Sequence, residues 1–122
     1  LEVFLVQKSI MSRVDFNEKI LKEIEAYALS NPLEESCGII HKIEDQFYFL
    51  PAKNLSDNKF DFFIIDNRLI IEYNTVCIFH SHPRTSCRPT PFDMKISDEL
   101  CLPFLIYSLM DKEFFLYGNI SV

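Results

Sequence analysis

Up to residue 30, apolar positions recur every three or four residues; beyond residue 36 they alternate or gather in short runs. Phe16, Ile20, Ile24 and Tyr27 form one stripe, widened by Leu21 and Ala28, and this spacing predicts a helix over 15–30. Asp15 or Asn17 suits the cap at its start, and Asn31-Pro32 stops it. Segments 37–40 and 46–50 then read as two strands joined in a hairpin near Glu44-Asp45. A polar loop over 51–58 leads to a strand over 60–65 and a short helix over 66–73. That helix is capped by Asp66, with Leu69, Ile70 and Tyr73 on its inner face. Residues 75–79 form the continuous apolar run of a buried central strand, with His80 and His82 at its end. Pro83, Pro89 and Pro91 stiffen the loop over 83–91. A helix over 93–100 and strands over 104–109 and 113–117, turning at Asp111-Lys112, complete the pattern. Helices alternating with strands and hairpins predict an α/β (α+β) domain, one mixed sheet covered by helices.

Composition narrows this picture slightly. The chain has 122 residues, 48% of them hydrophobic, and 12 phenylalanines. This is one domain's length with enough apolar surface for a core, and it excludes global disorder. A net charge of −6 argues against a partner held through phosphate contacts, so no nucleic acid is expected. With two glycines, Gly38 and Gly118, the chain has no glycine-rich phosphate loop. No apolar run reaches membrane-spanning length. Residues 1–10 lack the pattern of a signal peptide and read as a vector-derived or upstream extension; 11–122, opening on Met11-Ser12-Arg13-Val14, read as the domain. Cys37, Cys77 and Cys101 sit in apolar stretches with no Cys-x-x-Cys pair, as free thiols of a reducing, cytoplasmic compartment do. Cys87, in the polar loop, is either a stray metal ligand or an exposed thiol.

The chemistry concentrates in His80-Ser81-His82-Pro83 and Thr90-Pro91-Phe92-Asp93. Side chains two apart on an extended chain point the same way, so His80 and His82 present their rings together while Ser81 points elsewhere. A carboxylate eleven residues on, Asp93, supplies a third ligand behind a stiff loop, or else an N-cap for the following helix. Three protein ligands plus an open position is the catalytic zinc arrangement. Such a site needs a base for its water; Glu35, opening the first core strand, is the leading choice, and Glu34 is an equally acidic rival.

Taken together, Glu35-Ser36-Cys37-Gly38, His80-Ser81-His82-Pro83 and Thr90-Pro91-Phe92-Asp93 resemble the JAMM motif of MPN (JAB) domain metalloproteases. That pattern is Glu, a long gap, His-Ser/Thr-His, seven residues, Ser, two residues, Asp. The Glu-x-Cys-Gly context selects Glu35 over Glu34, and Pro51-Ala52-Lys53-Asn54 looks like the loop ahead of the family's metal site. The resemblance implies a cytidine-deaminase-like architecture and Zn2+ held by His80, His82 and Asp93. It implies zinc-bound water activated by Glu35 and a hydroxyl at Thr90 that steadies the tetrahedral intermediate. Threonine stands where the family has serine; it keeps the hydroxyl but adds a methyl group and a stiffer rotamer. The implied activity is peptide or isopeptide hydrolysis, on a protein or peptide that includes ubiquitin-like conjugates. The compact length looks like prokaryotic or phage-tail versions, with a tail-assembly component as a substrate and the host cytoplasm or virion as the setting.

Other readings remain. An MPN-type scaffold or tail-assembly module would bind zinc with little or no catalysis. A zinc deaminase would need His-x-Glu and Pro-Cys-x-x-Cys, and neither is present. An incidental histidine pair would bind no metal. The Phe-rich strands leave a homodimer open.

Overall fold

The computed structural model describes residues 6–8, for their backbone, and 16–120. A cap at Asp15 and the remainder of 1–15 lie outside the described residues. The first described strand, β1 (Val6–Lys8), pairs in parallel with the last, β6 (Glu113–Tyr117). Three of the ten residues read as an extension thus add an edge strand, too short for periodicity to reveal.

Helix α1 (Glu18–Ser30) begins where the Asn17 side chain accepts the Ile20 N–H at 2.9 Å. Its stripe of Ile20, Leu21, Ile24 and Ala28 is buried. Strands β2 (Cys37–Ile43) and β3 (Gln46–Ala52) form the expected hairpin, each longer than its apolar run, with Glu44 at φ 55° in the turn. Gly38 is required by close approach: a Cβ there would lie 2.6 Å from the Leu50 carbonyl oxygen. Helix α2 (Asn67–Glu72) is capped by Asp66, as the pattern predicts. Leu69 and Ile70 pack inward, but Tyr73 is displaced to the surface and tilts against His41. Strand β4 (Thr75–His82) runs through both histidines instead of ending before them. Helix α3 (Pro91–Leu100) starts two residues earlier than its apolar pattern. β5 (Phe104–Ser108) returns parallel to β4, and β6 is antiparallel to β5.

The strand expected over 60–65 does not form. Asn54 takes over that segment's hydrogen bonding: its side chain donates to the Phe62 carbonyl and accepts from Ile64 N. Apolar spacing in Phe60–Ile65 therefore reflects a loop anchored on a buried asparagine, with Phe63 and Ile65 turned inward.

The six-stranded mixed sheet has the order β1-β6-β5-β4-β2-β3, an α+β fold. Alternation sorts the interior strands into two cores. Ile40, Cys77, Phe79, Leu105 and Tyr107 face α1. Cys37, Ile39, Ile78, Phe104 and Ile106 face α2, α3 and the loop before α2. The second face is the one that carries His80 and His82. No helix among the described residues is long and apolar enough to cross a membrane.

Candidate metal centre

Three residues from two elements meet at the end of β4. His80 Nε2 lies 3.2 Å from His82 Nε2 and 3.3 Å from Asp93 Oδ1, while His82 Nε2 lies 3.0 Å from Asp93 Oδ2. Tetrahedral zinc with bonds of about 2.0–2.1 Å separates its ligand atoms by roughly 3.3 Å. The His80–His82 separation and the two histidine–carboxylate separations, made to different oxygens of Asp93, are close to that spacing. All three residues are buried.

The neighbours orient the ligands. His82 Nδ1 lies 2.7 Å from the Ser86 carbonyl oxygen, which only accepts, so Nδ1 carries a proton and Nε2 is the atom turned to the centre, where a bound cation would take its lone pair. The His80 ring stacks on Phe63 at 4.4 Å and meets Phe104 edge-on at 5.2 Å. Its Nδ1 has no hydrogen-bond partner among the described residues. Burial pushes His80 below the usual imidazole range, which keeps the ring neutral and available as a ligand. Burial alone would raise Asp93, but hydrogen bonds with His80 and His82 hold it well below the usual carboxylate range.

Asp93 is not the N-cap; Thr90 is. The Thr90 hydroxyl accepts from Asp93 N at 3.0 Å, and Asp93 Oδ2 accepts from Thr90 N at 3.0 Å, a reciprocal capping box with Pro91 at the first helical position. Asp93 stands at the third helical position and turns its carboxylate back toward β4. The hydroxyl expected to steady an oxyanion is engaged as an acceptor in this cap, and its single hydrogen is left to donate.

Glu35 arrives from β2. Cys37 pairs with His80 across the antiparallel ladder, and Ser81 N donates to the Ser36 carbonyl at 2.9 Å. Extending that register puts Glu35 opposite His82, on the ligand-bearing face. Ser81, pointing to the other face, accepts the Ser36 N–H at 2.8 Å and locks the two strand ends together. The Glu35 backbone is clamped further: its N–H donates to the Lys59 carbonyl and its carbonyl accepts from the Asn54 side chain at 2.9 Å. Burial first, and then the charges of Asp93 and Asp61, push its carboxyl up to about 9. Glu34 is only half-buried, and its charge is felt by Tyr27 on α1.

Cys87 is neither at this centre nor exposed. It is buried in the second core, near Asp111 and Glu113, and burial raises its thiol pKa. Cys101, expected in the interior, is exposed in the left-handed cap of α3 at φ 54°. Sequence reading missed Asn54, Phe63 and Ser86. Asn54 belongs to a loop segment that resembled the family's, but nothing in residue type or spacing marks a backbone carbonyl such as that of Ser86 as a histidine's partner.

No family model matches this chain, and no curated protein matches it. Among solved structures, it is similar to the solution structure of protein DSY2949 from Desulfitobacterium hafniense, with 24% identity and a TM-score of 0.60. The match covers 87% of this chain and 76% of that one. At that identity the likeness shows the fold alone.

Proposed function

We propose that this chain is a zinc-dependent metallopeptidase that hydrolyses a peptide or isopeptide bond. The observation that carries the reading is the convergence of His80, His82 and Asp93, whose ring nitrogens and carboxylate oxygens lie 3.0–3.3 Å from one another in the interior. Zinc, when bound, acts as a Lewis acid toward a carbonyl and lowers the pKa of water from 15.7 toward about 7.

The chain's own residues divide the remaining work. His80, His82 and Asp93 hold the cation, with the Ser86 carbonyl fixing the tautomer of His82. Glu35 takes the proton of the attacking water and returns it to the leaving nitrogen as the amide C–N bond breaks. Its carboxyl, held near 9 by burial and by Asp93, falls toward neutral pH when a dication enters, because an opposite charge favours the ionised form. That brings its pKa toward working pH, where a proton shuttle performs best. The hydrogen of the Thr90 hydroxyl supplies a donor toward the developing oxyanion.

The substrate class is a protein or peptide, with a ubiquitin-like conjugate or a tail-assembly component among the choices, and the fold does not select one. Four unpaired thiols suit a reducing setting such as a cytoplasm. The second reading is an MPN-type module that binds zinc but turns over slowly. The engagement of Thr90 in the helix cap favours it, since a hydroxyl tied to Asp93 N is less free to follow an oxyanion. Zinc content and peptide cleavage, measured on the native chain, on His82→Ala and on Glu35→Gln, test both readings. Hydrolysis requires that His82→Ala lose stoichiometric zinc and that Glu35→Gln keep zinc and lose turnover. Undiminished turnover in zinc-loaded Glu35→Gln refutes the mechanism. Full zinc with no cleavage of any peptide or conjugate establishes the second reading.

A further inference from the structure

Helix α3 presents more than a ligand to the second face of the sheet. Phe92, Ile96 and Leu100 recur every four residues and so line one side of the helix, with Asp93 beside them. They form a wall of an apolar cavity of about 200 Å³, closed by Phe63, Ile70 and Ile78. Among the described residues that line it, only Asn67 and Asp93 are polar.

The cavity and the metal centre share their walls. Asp93 belongs to both. Phe63 lines the cavity and stacks on His80 at 4.4 Å. Ile78 in the cavity and His80 at the centre are two residues apart on one face of β4, a separation of roughly 6.6 Å along a strand. At the mouth, Phe92 and Leu100 remain 53% and 40% exposed. An apolar pocket with a few convergent polar groups at its edge has the usual form of a ligand site.

We propose that this cavity receives a large apolar side chain, aromatic or aliphatic, on the substrate residue flanking the scissile bond, an assignment that rests on the hydrolytic reading of the adjoining centre. The occupant follows from continuity. A peptide whose carbonyl reaches the His80–His82–Asp93 face has its adjacent side chains within a strand step or two of Phe63 and Ile78. Size agrees, because an apolar cavity of about 150 Å³ admits benzene. A glycine at that position leaves the cavity unfilled. Selection here is by apolar contact, a discrimination of about 10- to 200-fold per methylene removed.

The first test is binding, independent of turnover. N-acetyl-phenylalaninamide and N-acetyl-glycinamide are titrated into the zinc-loaded chain while the Ile and Leu methyl resonances are followed by NMR. The expected result is a saturable shift of the Ile70, Ile96 and Leu100 methyls with the phenylalanine probe and none with the glycine probe. Leu100→Glu, at the exposed mouth, is expected to weaken that binding at least about tenfold. Absent shifts, or shifts that Leu100→Glu leaves unchanged, overturn the proposal. The second test compares peptides with Phe, Leu or Gly flanking the cleaved bond, with at least about tenfold higher kcat/KM expected for Phe and Leu. Equal cleavage of the glycine peptide overturns the subsite while leaving hydrolysis standing. Probe binding at the cavity with no peptide cleaved sinks hydrolysis while the apolar-side-chain site stands.

Discussion

Glu35→Gln separates a carboxyl built for a cation's neighbourhood from one that is merely buried. In the metal-free fold, burial and the charges of Asp93 and Asp61 push Glu35 up to about 9 from a reference of 4.5. Between those two pH values the unfolded chain releases a proton that the folded chain keeps. The contribution of this one group is therefore full below about 4.5 and is lost as pH rises toward 9, by about 1.4 kcal/mol per pH unit. At pH 7 the accumulated loss is about 3 kcal/mol, a large fraction of the 5–15 kcal/mol typical of a domain. Glutamine has no proton to release, so metal-free Glu35→Gln is predicted to be more stable than the native chain at pH 7 and nearly equal to it at pH 5. The gap widens by roughly 2–3 kcal/mol between pH 6 and 8. Urea unfolding of both chelator-treated proteins across pH 5–8.5 measures it, and groups common to both cancel to first order in the difference. Stoichiometric zinc is predicted to reduce the dependence above neutral pH, because a dication lowers the folded pKa of Glu35 toward neutral and so narrows the pH window between the folded and unfolded values. A gap that is constant with pH, or that narrows as pH rises, refutes the reasoning.

Other predictions follow from the neighbouring contacts. Thr90→Val removes the hydroxyl that accepts from Asp93 N. It should cost about 0.5–2 kcal/mol in stability as a lost cap and about 10- to 100-fold in zinc affinity as a lost ligand support. Thr90→Ser should restore both, and calorimetry with competitive zinc titration reads them. Gly38→Ala puts a Cβ 2.6 Å from the Leu50 carbonyl oxygen and should destabilise by about 1–3 kcal/mol in denaturant melts; a neutral result would mean that β3 moves freely. Asn54→Ala strips donors from the Glu35 and Phe62 carbonyls and acceptors from Ser56 N and Ile64 N. Faster amide exchange at Ser56 and Ile64 is expected, and unchanged protection would remove Asn54 from its anchoring role.

The sequence was most readable where a periodic pattern and a packed face coincide. The stripe from Ile20 to Ala28 had only one sheet to cover, and the hairpin at Glu44-Asp45 follows from two apolar runs with a polar pair between them. The meeting of His80, His82 and Asp93 was legible for a similar reason: alternation along β4 obliges His80 and His82 to share a face, and a short stiff loop limits where Asp93 can go. Segment 60–65 misled because its apolar residues satisfy a strand pattern, while the hydrogen bonds that decide the matter come from Asn54, outside it. Thr90 and Asp93 exchanged the role of cap for a similar reason. Either residue type caps a helix, and only the backbone reveals which stands at the start. Cys87 shows the limit of local polarity as a guide to burial: its loop is polar, but the face beneath it is apolar.

Under the proposed metal-dependent reading, the reciprocal cap at α3 also bears on how fast a cation would be taken up. Thr90 and Asp93 hold each other through backbone groups, and Ser86 holds His82, so contacts of the fold itself fix the directions of the donor atoms. Ions that enter such a site need displace only their own water. Uptake should then be limited by ion dehydration and access rather than by chain rearrangement. Chelation should empty the centre while leaving the helix start in place, in contrast to a small zinc finger, whose fold disappears with its metal.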